Sequence, residues 1–278
     1  MNSKLRWIVV AAVVLIAAVS LGMVIGRGSA KQTPAIVATE EAVSPAPSDN
    51  AKVVLARGDT AKAQGSYQQA QKLYEQALDK SPDTATSTKA QSQLGQANIQ
   101  AIFSTQFSPS DLSYEVQSGD TLTKIARKHH VTVELLRVCN GLRGDLVRLG
   151  QTLKIPNVNF IVFVDKSQNL LTLKNGEQVF KTYRCSTGRG GITPVGDFKI
   201  ANKMIDPVWK GLVSPSDPKN PLGTRWLGFD LPQYGIHGTN DPSTIGQPVT
   251  QGCVRMLNED VEELYTLLPV GTVIIIAE

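Results

Sequence analysis

The sequence of 278 residues contains little cysteine, few aromatic residues and little excess charge. Three cysteines are too few for a disulfide scaffold, and because three is odd we expect at least one free thiol. Lys and Arg total 28 against 24 Asp and Glu, and no segment carries a basic stripe, so the sequence does not support nucleic-acid binding. The hydrophobic fraction of 41% is ordinary for globular proteins and excludes a wholly disordered or collagen-like chain.

One long uncharged hydrophobic run stands at the N-terminus. Trp7–Ile25 has 19 residues without a charge, and as a helix this run would be about 28 Å long, close to the thickness of a bilayer's hydrocarbon core. Lys4 and Arg6 precede the run, which predicts a cytoplasmic N-terminus. We therefore predict a transmembrane anchor over residues 1–27; the alternative is a signal peptide cleaved near Ala30. Either reading exports the rest of the chain into the cell envelope.

Two segments follow the hydrophobic run. Residues 28–50 are rich in Ala, Pro, Ser and Thr, which predicts a disordered linker. Residues 51–104 are dominated by Ala, Gln, Lys and Leu, which predicts helices. Gly58, Tyr67 and Tyr74 stand at spacings that resemble one tetratricopeptide repeat. A single repeat lacks the stacking that normally stabilises this fold, so a protein-binding role and a plain helical spacer both stay open.

Residues 112–156 predict a small βααβ domain. A short strand precedes a turn at Gly119, and Asp120 or Thr121 begins a helix with an apolar face. A second helix ends at Asn140-Gly141, and a closing strand leads to Pro156. The motifs YxVxxGDTLxxIA, NxL and GQxLxIP closely resemble the lysin motif (LysM). The resemblance implies binding to glycan strands that contain N-acetylglucosamine, with peptidoglycan as the expected partner.

Residues 158–277 predict a mainly β catalytic domain. β-Branched and aromatic residues without regularly alternating helices favour a mostly antiparallel sheet. The predicted strands are Phe160–Val164, Leu170–Leu173, Gln178–Tyr183 and Val273–Ile276. We expect one helix over Asn258–Leu268, with Asn258 as its N-cap. Residues 201–235, which contain Trp209 and Trp226, have many turn residues and suit a loop over a cleft.

The chemistry lies in two short segments of this domain. Cys253 is a candidate nucleophile, and His237 is the only histidine of the domain that could act as its base. The main-chain N–H groups of Gly252 and Cys253 are candidate oxyanion donors. Arg255 follows two residues later, so on an extended strand its side chain shares a face with Cys253. A lone His and Cys often occur together by chance, and a single cysteine is more often a buried structural residue than a nucleophile.

The wider pattern HGTN followed by TQGCVRM resembles the L,D-transpeptidase catalytic domain, with supporting TPxG and NPLGxR motifs. The resemblance implies that Cys253 is the nucleophile, that His237 is the general base and acid, and that the carbonyl of Gly238 orients the histidine. It also implies that Arg255 lies near the nucleophile, and we expect Arg255, Thr239 and Asn240 to contact substrate. The family usually has a second histidine two residues before the cysteine, where this chain has Gln251.

The implied reaction is acyl transfer within peptidoglycan. The cysteine attacks the amide between the diamino acid at stem position 3 and D-Ala at position 4, and an amine of another stem resolves the thioester into a 3→3 cross-link. The expected partners are stem peptides and glycan strands, and no metal or cofactor is expected. Two alternatives are an L,D-carboxypeptidase, which uses water in place of the amine, and a non-catalytic wall-binding scaffold. Cys139 and Cys185 are expected to be small apolar fillers, with a disulfide between them as the alternative.

Overall fold

The computed structural model describes residues 50–81, 83–214, 217 and 219–278. The predicted anchor and all but the last residue of the predicted linker lie outside these ranges. Within the described ranges, no helix is both long enough and apolar enough to cross a membrane.

Three helices begin the described chain: α1 (Ala51–Ala63), α2 (Tyr67–Asp79) and α3 (Thr84–Phe103). Helices α1 and α2 approach closely because Gly58 has no side chain; a Cβ there would lie 2.6 Å from the ring of Tyr74. The Tyr74 hydroxyl, in turn, donates a hydrogen bond of 2.8 Å to Asp59. The predicted helices are therefore present, whereas their assignment to a tetratricopeptide repeat stays a prediction.

The next module has the predicted βααβ order: β1 (Leu112–Glu115), α4 (Leu122–Lys128), α5 (Val133–Cys139) and β2 (Thr152–Ile155). Thr121 and Thr132 cap the two helices by accepting hydrogen bonds from the N–H groups of Lys124 and Leu135. Strands β1 and β2 pair antiparallel, so both ends of the module meet in one small sheet.

The rest of the chain builds an eight-stranded sheet, a two-stranded sheet and one longer helix. The elements are β3 (Phe160–Asp165), β4 (Leu170–Asn175), β5 (Gln178–Arg184), β6 (Thr187–Gly188), β7 (Gly196–Ile205), β8 (Arg225–Phe229), β9 (Gly235–His237), β10 (Pro248–Thr250), β11 (Val254–Arg255), α6 (Asn258–Leu267) and β12 (Val273–Ala277). The large sheet has the order β11-β9-β8-β7-β12-β3-β4-β5, and β6 pairs with β10. Pairing in the large sheet is mostly antiparallel; β12–β3 and β11–β9 are parallel.

The core of this sheet follows from the alternation of its strands. Alternate residues of β3 and β12 are buried, including Val162, Val164, Ile274 and Ile276, each at most 1% exposed. Helix α6 packs across β8 and β9 and buries Val261 and Leu264. The apolar face of α6 therefore packs against β8 and against β9, the strand that leads into the HGTN segment.

Helix α3 covers the edge strand β5. Gly95 lets the helix lie directly on the strand, since a Cβ there would be 3.3 Å from the Cα of Lys181. Asn98 donates a hydrogen bond of 2.7 Å from its side chain to the carbonyl of Phe180. An open strand edge invites pairing with other chains, and this helix blocks it.

Two sequence predictions in this domain are wrong. Asn258 is the first residue of α6 and not its N-cap, which is Leu257 without a side-chain cap bond; the side chain of Asn258 bonds elsewhere. Residues 201–235 are not one loop: they begin with the end of β7 and contain all of β8, so Trp226 lies on a strand. The β-branched and aromatic residues of these segments favour strands, and the turn residues are confined to the connections between them.

Candidate active site

Two short parallel strands bring the predicted catalytic residues together. In the register of β9 with β11, His237 is paired with Arg255 and Ile236 with Val254. Because side chains alternate along a strand, Cys253 shares the face of Arg255, which is also the face of His237. His237 and Cys253, 16 positions apart in sequence, thus face one cleft together with Arg255.

This cleft has a volume of about 840 Å³ and is lined by aromatic, apolar and cationic side chains. Trp209, Trp226 and Tyr234 form aromatic walls, and Lys210 and Lys219 lie at its margin. With Arg255 this makes three cations, and no carboxylate is found among the described lining residues. The cleft is therefore suited to a ligand that carries carboxylates.

His237 is buried, and its environment fixes its tautomer. Its Nδ1 lies 2.7 Å from the carbonyl oxygen of Gly238, and because a carbonyl only accepts, Nδ1 carries the proton and Nε2 the lone pair. Burial above all lowers the pKa of His237 to about 4; the Gly238 carbonyl acts in the opposite direction, and the positive charge of Arg255 contributes to the lowering. At neutral pH the imidazole is uncharged and free to accept a proton at Nε2.

Cys253 is half-buried, and its Sγ lies 3.5 Å from the carbonyl oxygen of Gln233. Burial raises the pKa of the Cys253 thiol, while the N–H of Gly235 and the charge of Arg255 act in the opposite direction. The resting pair is therefore a neutral thiol and a neutral imidazole, and the proton must leave the thiol as the nucleophile attacks.

The other two cysteines contrast with Cys253. Cys139 and Cys185 are fully buried, and burial raises the pKa of each thiol to about 12. All three cysteines are free, so the expectation of at least one free thiol is confirmed and the alternative disulfide is not formed. Buried thiols of such high pKa are inert fillers.

The two candidate oxyanion donors differ. The N–H of Gly252 is held by Thr250, whose Oγ1 accepts it at 3.2 Å and donates to the Cys253 carbonyl at 2.6 Å. Gly252 has a φ of 117° and lies under the ring of Tyr234, so a side chain would fit neither the backbone nor the space. The turn therefore presents the thiol, and the N–H of Cys253 stays the stronger candidate for binding an oxyanion.

Of the three residues predicted to contact substrate, Arg255 lines the cleft. It donates to Thr244 Oγ1 at 3.1 Å and has a buried Nε with no partner among the described residues. Thr239 is buried, and its Oγ1 accepts from the N–H of Asp241 at 2.9 Å. Neither Thr239 nor Asn240 is found among the described residues that line the cleft, so their contact with substrate stays a prediction.

Trp226 is a functional candidate that sequence reasoning placed in a loop. It pairs with His237 in the register of β8 and β9, and the two rings stack with centroids 6.0 Å apart. The indole lies over Gly228 and Gly235, where a Cβ would be 2.6 and 2.8 Å from its atoms, and it donates to Asn202 Oδ1 at 3.1 Å. A tryptophan followed by glycines two and nine residues later was the available signal.

Across the described residues, no group of three or more His, Cys, Asp or Glu side chains is arranged to hold a metal ion.

Comparisons with known proteins identify two domains of the chain. Residues 159–276 match the L,D-transpeptidase catalytic domain, and residues 114–156 match the LysM domain. The chain is 36% identical over 169 residues to "Putative L,D-transpeptidase YkuD" of Bacillus licheniformis, covering 58% of this chain and 96% of that protein. It is 47% identical over 160 residues to "Probable L,D-transpeptidase YbiS" of Escherichia coli strain K12, covering 48% of this chain and 51% of that protein.

The chain belongs to the L,D-transpeptidase family. It is a cysteine-dependent acyltransferase that acts on peptidoglycan, and its LysM domain and catalytic domain make it a cell-wall-associated protein. Among solved structures, it is similar to an L,D-transpeptidase from Xylanimonas cellulosilytica, with 22% identity and a TM-score of 0.37 over 43% of this chain and 61% of that chain. The catalytic domain of an Enterococcus faecium L,D-transpeptidase gives 21% identity and a TM-score of 0.36 over 43% of this chain and 97% of that chain.

Proposed function

We propose that Cys253 forms the acyl-enzyme with a tetrapeptide stem and that His237 moves the protons. The observation that carries this proposal is the β9–β11 register, which puts the thiol and the tautomer-fixed imidazole on one face of one cleft. As His237 Nε2 takes the thiol proton, Sγ attacks the carbonyl carbon of stem residue 3. The C–N bond to D-Ala then breaks, and the departing amine takes the proton from His237.

In the second half-reaction an amine of another stem attacks the thioester carbonyl. His237 accepts the amine's proton, the C–S bond breaks, and the thiolate of Cys253 recovers that proton. The Gly238 carbonyl keeps Nδ1 protonated through both steps, and the N–H of Cys253 is the proposed donor to the oxyanion. The products are a 3→3 cross-linked dimer and free D-Ala.

The cationic cleft supports a carboxylate-bearing donor. Arg255 has an unpartnered Nε among the described residues and the opposite charge to a stem carboxylate. We assign it to donor binding, with Thr239 and Asn240 as the further predicted contacts. The LysM domain, over residues 112–156, would hold the glycan strands, and residues 51–104 would act as a spacer or bind a protein partner. The hydrophobic run over residues 1–27 would anchor the whole to the cytoplasmic membrane.

Mass spectrometry tests this proposal directly. Purified protein incubated with a disaccharide-tetrapeptide should gain the mass of the acyl group on a peptide containing Cys253, release D-Ala and form 3→3 dimers. A matched Cys253→Ala protein should do none of these. Tripeptide accumulation without dimers would identify water as the acceptor, and the absence of both adduct and D-Ala release would overturn the proposal.

A further inference from the structure

The side chain of Asn258 joins helix α6 to two loops of the active site. Its Oδ1 accepts hydrogen bonds from the N–H of Thr224 at 3.2 Å and from the N–H of Thr239 at 3.0 Å. Since both partners are donors, the atom that faces them must be the amide oxygen. One oxygen thus fixes the loop before β8 and the loop after β9.

Two glycines make room for this oxygen. A Cβ on Gly223 or on Gly238 would lie 2.1 Å from Asn258 Oδ1, well inside any real contact distance. Gly223 belongs to the NPLGxR motif and Gly238 to the HGTN motif. The oxygen of Asn258 is therefore a shared reason for glycine at both positions. At Gly223 the φ of 62° and the N–H of Thr239, whose nitrogen would be 2.4 Å from such a Cβ, also require glycine.

The bond to Thr239 acts on the peptide unit that orients the histidine. The N–H of Thr239 and the carbonyl of Gly238 belong to the same planar peptide group and point in opposite directions. The N–H end donates to Asn258, and the carbonyl end accepts from His237 Nδ1 at 2.7 Å. The three groups form a chain of hydrogen bonds in which each bond polarises the next.

We propose that Asn258 is a positioning residue for the transpeptidase reaction. Through the Gly238–Thr239 peptide it holds His237 as the Nδ1–H tautomer and so keeps the Nε2 lone pair available to Cys253. This inference rests on the proposed function, because it needs His237 to be the base. The neutral amide takes the place that a carboxylate has in a Ser-His-Asp triad, with one peptide unit inserted between it and the imidazole.

The test compares Asn258→Ala, Asn258→Asp and a control, Asn98→Ala, in the full chain. Asn98 is likewise an asparagine whose side chain joins two elements, through bonds to Phe180 and Gln71. It is buried where Asn258 is half-buried, and it lies against the opposite edge of the sheet. The two measurements are the single-turnover rate of acylation by a tetrapeptide stem and the ¹⁵N spectrum of the His237 imidazole.

We expect Asn258→Ala to slow acylation about 10- to 100-fold, the range that a misplacement of about 1 Å produces, with little change in half-saturation. Its imidazole spectrum should show a larger fraction of the Nε2–H tautomer. Asn258→Asp keeps the accepting oxygen, so it should restore the rate at neutral pH. Its negative charge should also move the acid limb of the pH profile to higher pH. Asn98→Ala should lose stability and keep the wild-type rate and imidazole spectrum.

A folded Asn258→Ala protein with acylation within twofold of the wild type and an unchanged imidazole spectrum would overturn the proposal. If that variant does not fold, Asn258→Asp decides, since an unmoved pH profile would equally overturn it. Failure of the proposed function looks different: the wild type itself would form no adduct at Cys253, and the imidazole spectrum would still report the tautomer.

Discussion

The two ends of the eight-stranded sheet differ in whether their polar groups are paired. At the β5 end, α3 closes the edge, and the polar groups are paired. The side chains of Lys181 and Tyr183 both bond Glu263 of helix α6, at 2.5 Å and 3.1 Å. At the β9–β11 end, Arg255 keeps an unpartnered Nε among the described residues, and the thiol of Cys253 is half-buried. Satisfied groups stabilise the sheet, while groups left poised for a substrate mark a functional site.

The largest expected effect is on acylation, and it distinguishes Cys253 in the cleft from Cys185 in the core. Cys253→Ala should abolish acylation, a loss of about 10⁴-fold or more, and leave stability nearly unchanged. Cys185→Ala should do the reverse, because it removes a fully buried thiol from the core and leaves Cys253 intact. Intact-protein mass after incubation with a tetrapeptide, together with urea unfolding of each variant, measures both. Acylation of Cys253→Ala would contradict the assignment of the nucleophile.

The second prediction concerns the pH dependence that His237 imposes. Its pKa is lowered to about 4 in the folded protein from an ordinary value of 6.5, so between these values the unfolded chain binds the extra proton. The free energy of unfolding should therefore fall as the pH drops from about 6.5 to about 4, by about 2–3 kcal/mol from this residue. Acylation should fall as the pH drops through about 4, where the imidazole of the folded protein becomes protonated.

Urea unfolding at pH 7 and pH 4.5 measures the stability change. His237→Gln removes the titrating group and should show a correspondingly smaller loss than the wild type. His130→Asn, at an exposed histidine with a φ of 54°, should keep the full loss, since asparagine tolerates that backbone conformation. Equal losses in His237→Gln and the wild type would contradict the prediction.

Elements set by local signals could be predicted from the sequence, whereas contacts between distant segments could not. Strand alternation and capping residues such as Thr121 are local signals, so the βααβ module and the strands β3, β4, β5 and β12 are close to their predicted positions. The hydrogen bonds of Asn258 reach two loops that are distant in sequence. The residues next to Asn258 therefore predicted only an N-cap. The stacking of Trp226 on His237 likewise depends on the register of β8 with β9, which no single segment specifies.

The third prediction tests the closed end of the sheet. Lys181→Met leaves the carboxylate of Glu263 without its cation in a mostly buried site, and it should lower the free energy of unfolding by about 3 kcal/mol. Adding Glu263→Gln removes the unpaired charge and should recover part of this loss. Acylation should stay at the wild-type rate in both variants, because neither residue lines the cleft. A loss of acylation without unfolding would show that the two ends are coupled through α6, which carries both Glu263 and Asn258.

The smallest expected effect concerns the open end. Lys210 and Lys219 line the cleft margin, and no carboxylate balances them among the described lining residues. Lys210→Gln with Lys219→Gln should reduce the second-order rate of acylation a few-fold at low salt, because fewer positive charges attract the stem's carboxylates. The difference from the wild type should shrink as salt screens the charges. The matched control Lys72→Gln with Lys174→Gln changes the net charge equally at exposed or half-exposed positions that do not line this cleft. If that control slows acylation as much, the effect belongs to net charge and the cleft's cations do not select the donor.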